Sequence, residues 1–176
     1  MISGISIGYS FNKRISLQAG FYAGSKIYSA QKEDYNLKNY SFPYAYNIQL
    51  INADCYVYDV PLAMRYNLTL NKKFNWFTTV GLSSLFMKNE SYDVYYNYGP
   101  GTTVQEINWS YANKNSHLFS VLNLSIGYEA ALNKNLFISA EPYYKLPLAG
   151  VGEGAVRLSS AGLQLGFRYN FSKKKK

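Results

Sequence analysis

The chain has 176 residues, enough for one domain, and its 19 tyrosines and ten phenylalanines stand out because only 16% of residues are charged. No run reaches the about 18 apolar residues that a membrane-spanning helix requires, which excludes a helical membrane protein. The formal net charge of +8 includes four lysines at residues 173–176. We interpret these as a basic tail and do not expect a nucleic-acid partner.

Alternating apolar and polar residues predict seven β-strands, because successive side chains of a strand point to opposite faces of a sheet. Short turns rich in Asn and Lys follow the first, third and fifth segments, and long polar, Tyr-rich stretches follow the second and fourth. No segment has a helical period. In chain order the alternating segments are residues 4–11, 15–24, 58–68, 76–86, 118–129, 136–145 and 158–171.

The regular exchange of short and long connections predicts an all-β, antiparallel, up-and-down transmembrane β-barrel. Outer-membrane barrels have short turns on the periplasmic side, long loops outside, and strands of about ten residues. A soluble sandwich has no reason to keep all its short turns at one end. The aromatic residues toward the strand ends are typical of the girdles at a membrane interface.

The polar face of the strands is expected to line the lumen, because it consists mainly of Gly, Ser, Thr, Asn and Gln with few charges. A soluble barrel would carry many charged residues on its outer face. We predict that the six charged residues of this face form an ion-pair network that fills the lumen, since an unpaired buried charge is very costly. The six are Asp59, Arg65, Glu129, Glu141, Lys145 and Arg168. Two alternatives remain open at this point, a narrow polar pore for small solutes and a soluble lipocalin-like barrel that binds a ligand in an apolar cavity.

The last strand ends in a pattern in which Gly166, Tyr169 and Phe171 are the defining residues. This pattern resembles the C-terminal signal by which the insertion machinery of bacterial outer membranes recognises its barrels. Together with segments 53–66, 80–84 and 141–145, it makes the chain resemble the porin-family outer-membrane β-barrel domain of Bacteroidota, which includes OmpX/OmpA-like small barrels. The resemblance implies a location in the bacterial outer membrane, with the lipid bilayer and lipopolysaccharide as partners. It implies no catalytic residues and no cofactor, and the word porin does not establish transport.

Seven strands conflict with the even number found in bacterial single-chain barrels. We therefore expect residues 1–172 to form the barrel domain without its natural signal peptide and first strand, so that the complete barrel has eight strands. The alternative is that the alternating residues Tyr92–Tyr98 extend the fourth strand and that the barrel is incomplete or closes on itself.

Other chemistry-bearing residues favour structural interpretations. His117, beside Ser116 and near Ser120, could suggest a serine hydrolase, but adjacent residues of a strand point in opposite directions. The carboxylates of Glu33, Asp34 and Asp93 lack the spacing of metal ligands, so no metal site is expected. The glycine-rich residues 150–154 lack the Lys-Ser/Thr pair and helix of a phosphate-binding loop.

The Tyr-rich loops are the best candidates for contact with an extracellular ligand or protein, because exposed aromatic clusters often mark contact surfaces. The alternative is that these aromatic residues extend the barrel above the membrane. The overall expectation is a non-enzymatic, membrane-anchored structural or surface-interaction module. The candidate contact residues are Tyr40, Phe42, Tyr44, Tyr46, Tyr95, Tyr96 and Trp109.

Overall fold

The computed structural model describes residues 2–31, 48–71, 73–99, 101–152 and 156–171, and every regular element in these ranges is a β-strand. The described ranges contain eight strands where seven were predicted, because a short strand lies within the predicted polar stretch 87–116. The strands are β1 (Ile2–Ser10), β2 (Ile15–Ala30), β3 (Ile48–Asn67), β4 (Phe74–Tyr96), β5 (Gln105–Ala112), β6 (Ser116–Ala131), β7 (Leu136–Pro147) and β8 (Ser160–Tyr169).

All strand pairs are antiparallel, and the sheet runs in the order β1-β2-β3-β4-β6-β7-β8. β4 is long enough to have two successive partners on one side, β6 along Phe74–Phe86 and β5 along Asn89–Tyr96. The alternative prediction that residues after Tyr92 extend the fourth strand is therefore confirmed as far as Tyr96. In the described residues no ladder joins β1 to β8, so both strands are edges of a curled sheet.

The three predicted Asn-Lys turns are present, and asparagine side chains hold them. Asn12 Oδ1 accepts hydrogen bonds from the backbone N–H groups of Arg14 and Ile15, both at 2.8 Å. Asn133 Oδ1 accepts the equivalent pair at 2.9 Å, and Asn71 Oδ1 accepts from Lys73 N at 2.9 Å. An asparagine that bonds its own backbone two residues on stabilises a tight reversal. We call this end of the sheet the turn end and the opposite end the loop end.

From the turn end to about Tyr58 of β3 and Phe86 of β4, the strands carry apolar side chains on their outer face. We call this part the apolar band. Leu165 and Phe167 of β8 are 72% and 74% exposed, and Met64, Val80 and Ile126 are also exposed on their strands. Continuous rows of exposed apolar side chains of this kind match the lipid-facing surface of a membrane barrel. The soluble lipocalin-like alternative requires the opposite arrangement and is wrong.

Beyond the band the polarity of the two faces is inverted. In residues 48–57 of β3, residues 87–96 of β4, and β5, which together we call the extension, the apolar side chains point inward. Their outer neighbours include Asn52, Asp54, Asn89 and Ser91. The inner ones form a buried cluster, against which β5 and residues of the loop after β7 also pack. Its members include Ile51, Ala53, Cys55, Val57, Tyr92, Val94, Tyr96, Val151 and Val156.

A β-bulge produces this inversion on β4. Val57 pairs with Met87 and Tyr56 pairs with Asn89, so Lys88 has no partner on β3. One extra residue in a strand of period two exchanges its inner and outer faces. Without the bulge, Asn89, Ser91 and Asp93 would point into the core in place of the apolar residues. The bulge therefore coincides with the position along β4 at which the outer row changes from apolar to polar residues.

Candidate functional site

The polar interior of the band holds a cluster of three charged residues from three strands, which we call the Glu129 cluster. Glu129 of β6 accepts two hydrogen bonds from Arg168 of β8, at 2.7 Å to Nε and 2.5 Å to Nη2. It also lies 3.1 Å from Nη2 of Arg65 of β3. β3 is not a sheet neighbour of β6 or β8, so these contacts cross the interior of the curled sheet. Glu129 and Arg65 are only 2% and 6% exposed.

An aromatic ring packs beside this cluster on the inner side of the sheet. Phe77 is the one inward-facing aromatic residue of β4 between Phe74 and Phe86. Its ring lies under the Arg65 guanidinium, with 3.6 Å between Arg65 Cζ and the ring centroid. The ring can occupy this position because its cross-strand partner is Gly127. A Cβ atom on Gly127 would come within 2.2 Å of the ring. The absence of a side chain at residue 127 thus leaves room for the Phe77 ring on the inner side of the sheet near the turn end.

A second ionic contact lies nearer the loop end, where Lys145 of β7 forms a salt bridge with Asp59 of β3 across the interior. Lys26 of β2 is close enough to interact electrostatically with both. On the wall between the two clusters, the carboxylate of Glu141 accepts a hydrogen bond from the hydroxyl of Ser125. The structure thus places the six sequence-predicted residues on the inner face of the sheet, five of them in two ionic clusters and Glu141 in a hydrogen bond. Lys26 was not among the predicted residues, because it lies just beyond the end of the predicted second strand.

The interior of the extension contains a buried carboxylate, Glu90, that was not among the predicted site residues. Glu90 follows the bulge and is 1% exposed within an otherwise apolar core. Its two oxygens accept hydrogen bonds from Tyr92 Oη and Asn115 Nδ2, each at 2.7 Å. Nearby, His117 Nε2 accepts a hydrogen bond of 2.9 Å from Gly152 N. This Glu90 cluster joins β4 and the β5–β6 connection to the loop that covers the core.

Burial perturbs the acid–base chemistry of Cys55 and Tyr92, which lie in the extension, outside the membrane-spanning segments. Burial, followed by the charge of Glu90, raises the pKa of the Cys55 thiol to about 11. Burial likewise raises the pKa of Tyr92.

The neighbourhood of His117 does not contain the serine hydrolase arrangement considered above. Its Nε2 is bonded to backbone, and the hydroxyl of Ser120 donates to the carbonyl oxygen of His117 at 3.2 Å and not to its ring. In the described ranges no group of three His, Cys, Asp or Glu side chains could hold a metal ion. Asp93 instead accepts a hydrogen bond of 2.6 Å from Asn108 across the β4–β5 pair, while Glu33 and Asp34 lie outside the described residues.

Three of the predicted loop contact residues lie in the extension. Tyr96 is buried, and Trp109 is partly buried and packs against the core, so the exposed ring surface assumed for the prediction is not present at Tyr96 and is reduced at Trp109. The contact role of these residues stays a prediction. Alternate residues of β4 and β5 face the core, and the rings of Tyr96 and Trp109 contribute apolar area to it. Tyr95, on the outer face of β4, is half-buried. The remaining predicted contact residues, Tyr40, Phe42, Tyr44 and Tyr46, lie outside the described residues.

The residues of the C-terminal pattern lie on or directly after β8. Tyr169 and Phe171 belong to its outer apolar row, and their rings meet edge to face with centroids 5.1 Å apart. Gly166 lies on the inner face opposite Ser139. The last strand therefore presents one continuous apolar ridge that ends in two aromatic residues at the turn end.

Comparison with known proteins gave one match. The family model described as "Outer membrane protein beta-barrel domain" matches residues 3–171. Searches of curated proteins and of solved structures found no match. Among the described residues, no helix has the length and apolar character to cross a membrane.

Proposed function

Because this chain belongs to the family of outer membrane β-barrel domains and is located in the bacterial outer membrane, we propose that it is a non-enzymatic, membrane-anchored module with a side-chain-filled lumen. In this proposal the apolar band anchors the protein in the bilayer. The extension is a structural or surface-interaction element beyond the membrane. The observation that carries the proposal is the Glu129 cluster together with Phe77, which occupies the interior where a pore would need open space.

The lumen contacts support a plug over a conduit for two physical reasons. The carboxylate of Glu129 is shared by two guanidinium groups, so a passing ion would have to displace a multiply hydrogen-bonded, desolvated cluster. The Phe77 ring offers no polar group to a solute and is itself held between Arg65 and Gly127. Small eight-strand barrels have interiors just wide enough for side chains to fill.

The extension supports the second half of the proposal. A protein that needs only an anchor has no use for the additional core of β3, β4 and β5 above the band. This core fixes the outer faces of three strands as a rigid, polar platform on the loop side of the membrane. Functional residues are commonly carried on loops that a rigid scaffold positions.

The partners in this proposal are the lipid bilayer and lipopolysaccharide around the band, and the insertion machinery that recognises β8. Phe171→Ala tests the last of these, because it removes the exposed aromatic residue that ends the outer ridge. We expect a several-fold lower yield of folded, membrane-inserted protein in cells. Phe167→Ala serves as the matched control for a general loss of apolar area. Equal assembly of Phe171→Ala and the wild type would count against recognition at this residue.

Planar-bilayer recording tests the plugged lumen. We expect the wild-type protein to give no steady open-state current in 1 M KCl. A double variant with Phe77→Ala and Arg65→Ala should give discrete openings, because it removes the ring and one guanidinium from the same cross-section. The control is Val80→Ala, which alters the lipid face of the same strand. A stable, ohmic wild-type conductance that the double variant does not increase would favour the narrow pore instead.

A further inference from the structure

The charged residues of this chain are separated by sign. The three Asn-Lys turns, residues 12–14, 71–73 and 133–135, contain five Lys or Arg residues and no Asp or Glu. All acidic residues of the chain lie in other segments of the sequence. They are Glu33, Asp34, Asp54, Asp59, Glu90, Asp93, Glu106, Glu129, Glu141 and Glu153. The turns therefore carry positive charge with no carboxylate of their own.

Hydrogen bonds between neighbouring turns hold these cations in one row. Asn67 Nδ2 donates to the carbonyl oxygen of Lys13 at 2.9 Å, and Asn67 N donates to the carbonyl oxygen of Arg14 at 2.8 Å. Ala131 N donates to the carbonyl oxygen of Lys73 at 2.8 Å, which joins the second turn to the third. The side chains of Lys13, Arg14 and Lys73 are exposed. The turn end thus presents a row of exposed cations on a fixed backbone.

An open groove lies between the first turn and the end of β3, and its volume is about 500 Å³. The residues that line it are Asn12, Lys13, Arg14, Ile15, Tyr66 and Leu70. Ile15 pairs with Tyr66 across β2 and β3. Tyr66 and Leu70 are 39% and 49% exposed and continue the outer apolar row of β3. The groove therefore combines two cations with an apolar wall on the outer side of the sheet.

The Arg14 guanidinium has hydrogen-bonding capacity left for a ligand. Its Nη1 donates to the carbonyl oxygens of Asn67 and Leu68, both at 3.4 Å, and its Cζ lies 5.9 Å from the centroid of the Tyr66 ring. A guanidinium has five N–H donors. Within the described residues no acceptor is bonded to Nε or Nη2 of Arg14. These donors form a planar fork that matches the oxygen atoms of a phosphate group.

The surroundings of the groove place it at the depth of lipid headgroups. Phe74, Trp76 and Tyr128 form a cluster of exposed rings on the outer face near the turn end, with the Trp76 and Tyr128 centroids 5.1 Å apart. Aromatic side chains at the end of a membrane-spanning segment lie at the membrane–water interface. Short turns of outer-membrane barrels lie on the periplasmic side, where the leaflet consists of glycerophospholipids. The apolar wall of the groove therefore meets acyl chains and its cations meet phosphates.

We propose that this groove binds one anionic glycerophospholipid of the periplasmic leaflet. Lys13 and Arg14 bind the phosphate, and Ile15, Tyr66 and Leu70 contact the beginning of an acyl chain. A zwitterionic lipid binds more weakly, because its ammonium group lies beside two cations. Each basic side chain contributes about fivefold in affinity for an anionic lipid, which corresponds to about 1 kcal/mol. The inference rests on the placement of the band in lipid and does not depend on whether the lumen conducts.

Native mass spectrometry of the full 176-residue chain in mild detergent tests this proposal. The probes are phosphatidylglycerol and phosphatidylcholine with identical acyl chains. We expect the first phosphatidylglycerol to bind at least about tenfold more tightly than phosphatidylcholine, because two cations contribute. Lys13→Gln combined with Arg14→Gln should remove this difference. The matched control is Lys73→Gln combined with Lys134→Gln, which removes the same charge from the other turns and should change the affinity less than about twofold.

Lys13→Gln alone decides the question if the double variant does not fold, because the described residues give the Lys13 amine no hydrogen-bond partner. This single variant should bind phosphatidylglycerol about fivefold more weakly. The lysines at residues 173–176 stay unchanged in every variant.

Equal affinities for the two lipids would overturn the proposal. An equal loss in the two double variants would do the same, because it would mean that the lipid responds to net charge and not to the groove. Inorganic phosphate or a soluble peptidoglycan fragment is added at millimolar concentration in a separate arm. Displacement of phosphatidylglycerol by either one would assign the groove to a soluble anion and would also overturn the proposal.

Discussion

Replacement of Glu129 by glutamine tests the Glu129 cluster most directly, because it removes the negative charge and keeps the size of the side chain and one acceptor oxygen. The carboxylate contacts Arg168 at 2.5 and 2.7 Å and Arg65 at 3.1 Å. Without it, two guanidinium groups are left without their shared counter-ion. Breaking a buried ion pair by removal of one partner costs 3–5 kcal/mol. Because the Arg168 side chain is 35% exposed and retains partial access to solvent, we expect the lower end, about 3 kcal/mol.

The assay is equilibrium unfolding by urea in phospholipid vesicles, followed by the fluorescence of Trp76 in a Trp109→Phe background. Glu141→Gln is the matched control, since the Glu141 carboxylate bonds the neutral hydroxyl of Ser125 and should cost only about 1 kcal/mol. Adding Arg65→Met to Glu129→Gln should restore part of the loss, because the two changes act on one interaction. The reasoning is refuted if Glu129→Gln lies within about 0.5 kcal/mol of the wild type or if the two glutamine variants are equally destabilised.

Two further outcomes are expected from the same structure. Gly127→Ala should lower the free energy of unfolding by about 2 kcal/mol, because the added methyl group overpacks the site. Phe77→Leu in the same chain should recover most of this loss. Additive losses from the two substitutions would contradict the contact between Phe77 and residue 127. Leu165→Lys should lower the free energy of unfolding in vesicles by about 2–4 kcal/mol, because it places a charge on the lipid-facing side of β8. Ser91→Lys, on the outer face of the extension, should leave the free energy of unfolding almost unchanged. Equal effects of the two substitutions would contradict the placement of the band in lipid and of the extension in water.

Much of the band follows from the sequence, because one physical rule governs it. Where lipid lies outside and polar side chains lie inside, alternation identifies both the strand and its lumen face, and Asp59, Glu129 and Arg168 were selected on that basis. The Asn turns were predictable for a similar reason. Asn12 and Asn133 act locally, through bonds to residues two and three positions away.

The extension was not predictable from the same rule, because alternation does not say which solvent lies outside. Above the band the apolar row turns inward, so Tyr96 and Trp109 resembled an exposed surface although they pack in a core. The bulge at Lys88 exchanges the inner and outer rows of β4, and no residue near it in the sequence indicates this exchange. Glu90 became a buried residue only through that shift, and in the sequence it is one acid in a polar stretch.

The central claim is that the outer face of the sheet meets lipid along the band and water along the extension. A nitroxide scan of β4 from Thr78 to Asp93, in a Cys55→Ser background reconstituted in vesicles, measures this with collision reagents. Lipid-soluble oxygen should relax labels at positions 78, 80 and 82 more than at their odd-numbered neighbours. A water-soluble nickel chelate should relax labels at positions 89, 91 and 93, on the other side of the Lys88 bulge. Strong relaxation by the nickel reagent at positions 80 and 82, or one unbroken even-numbered period through residue 93, would contradict the account.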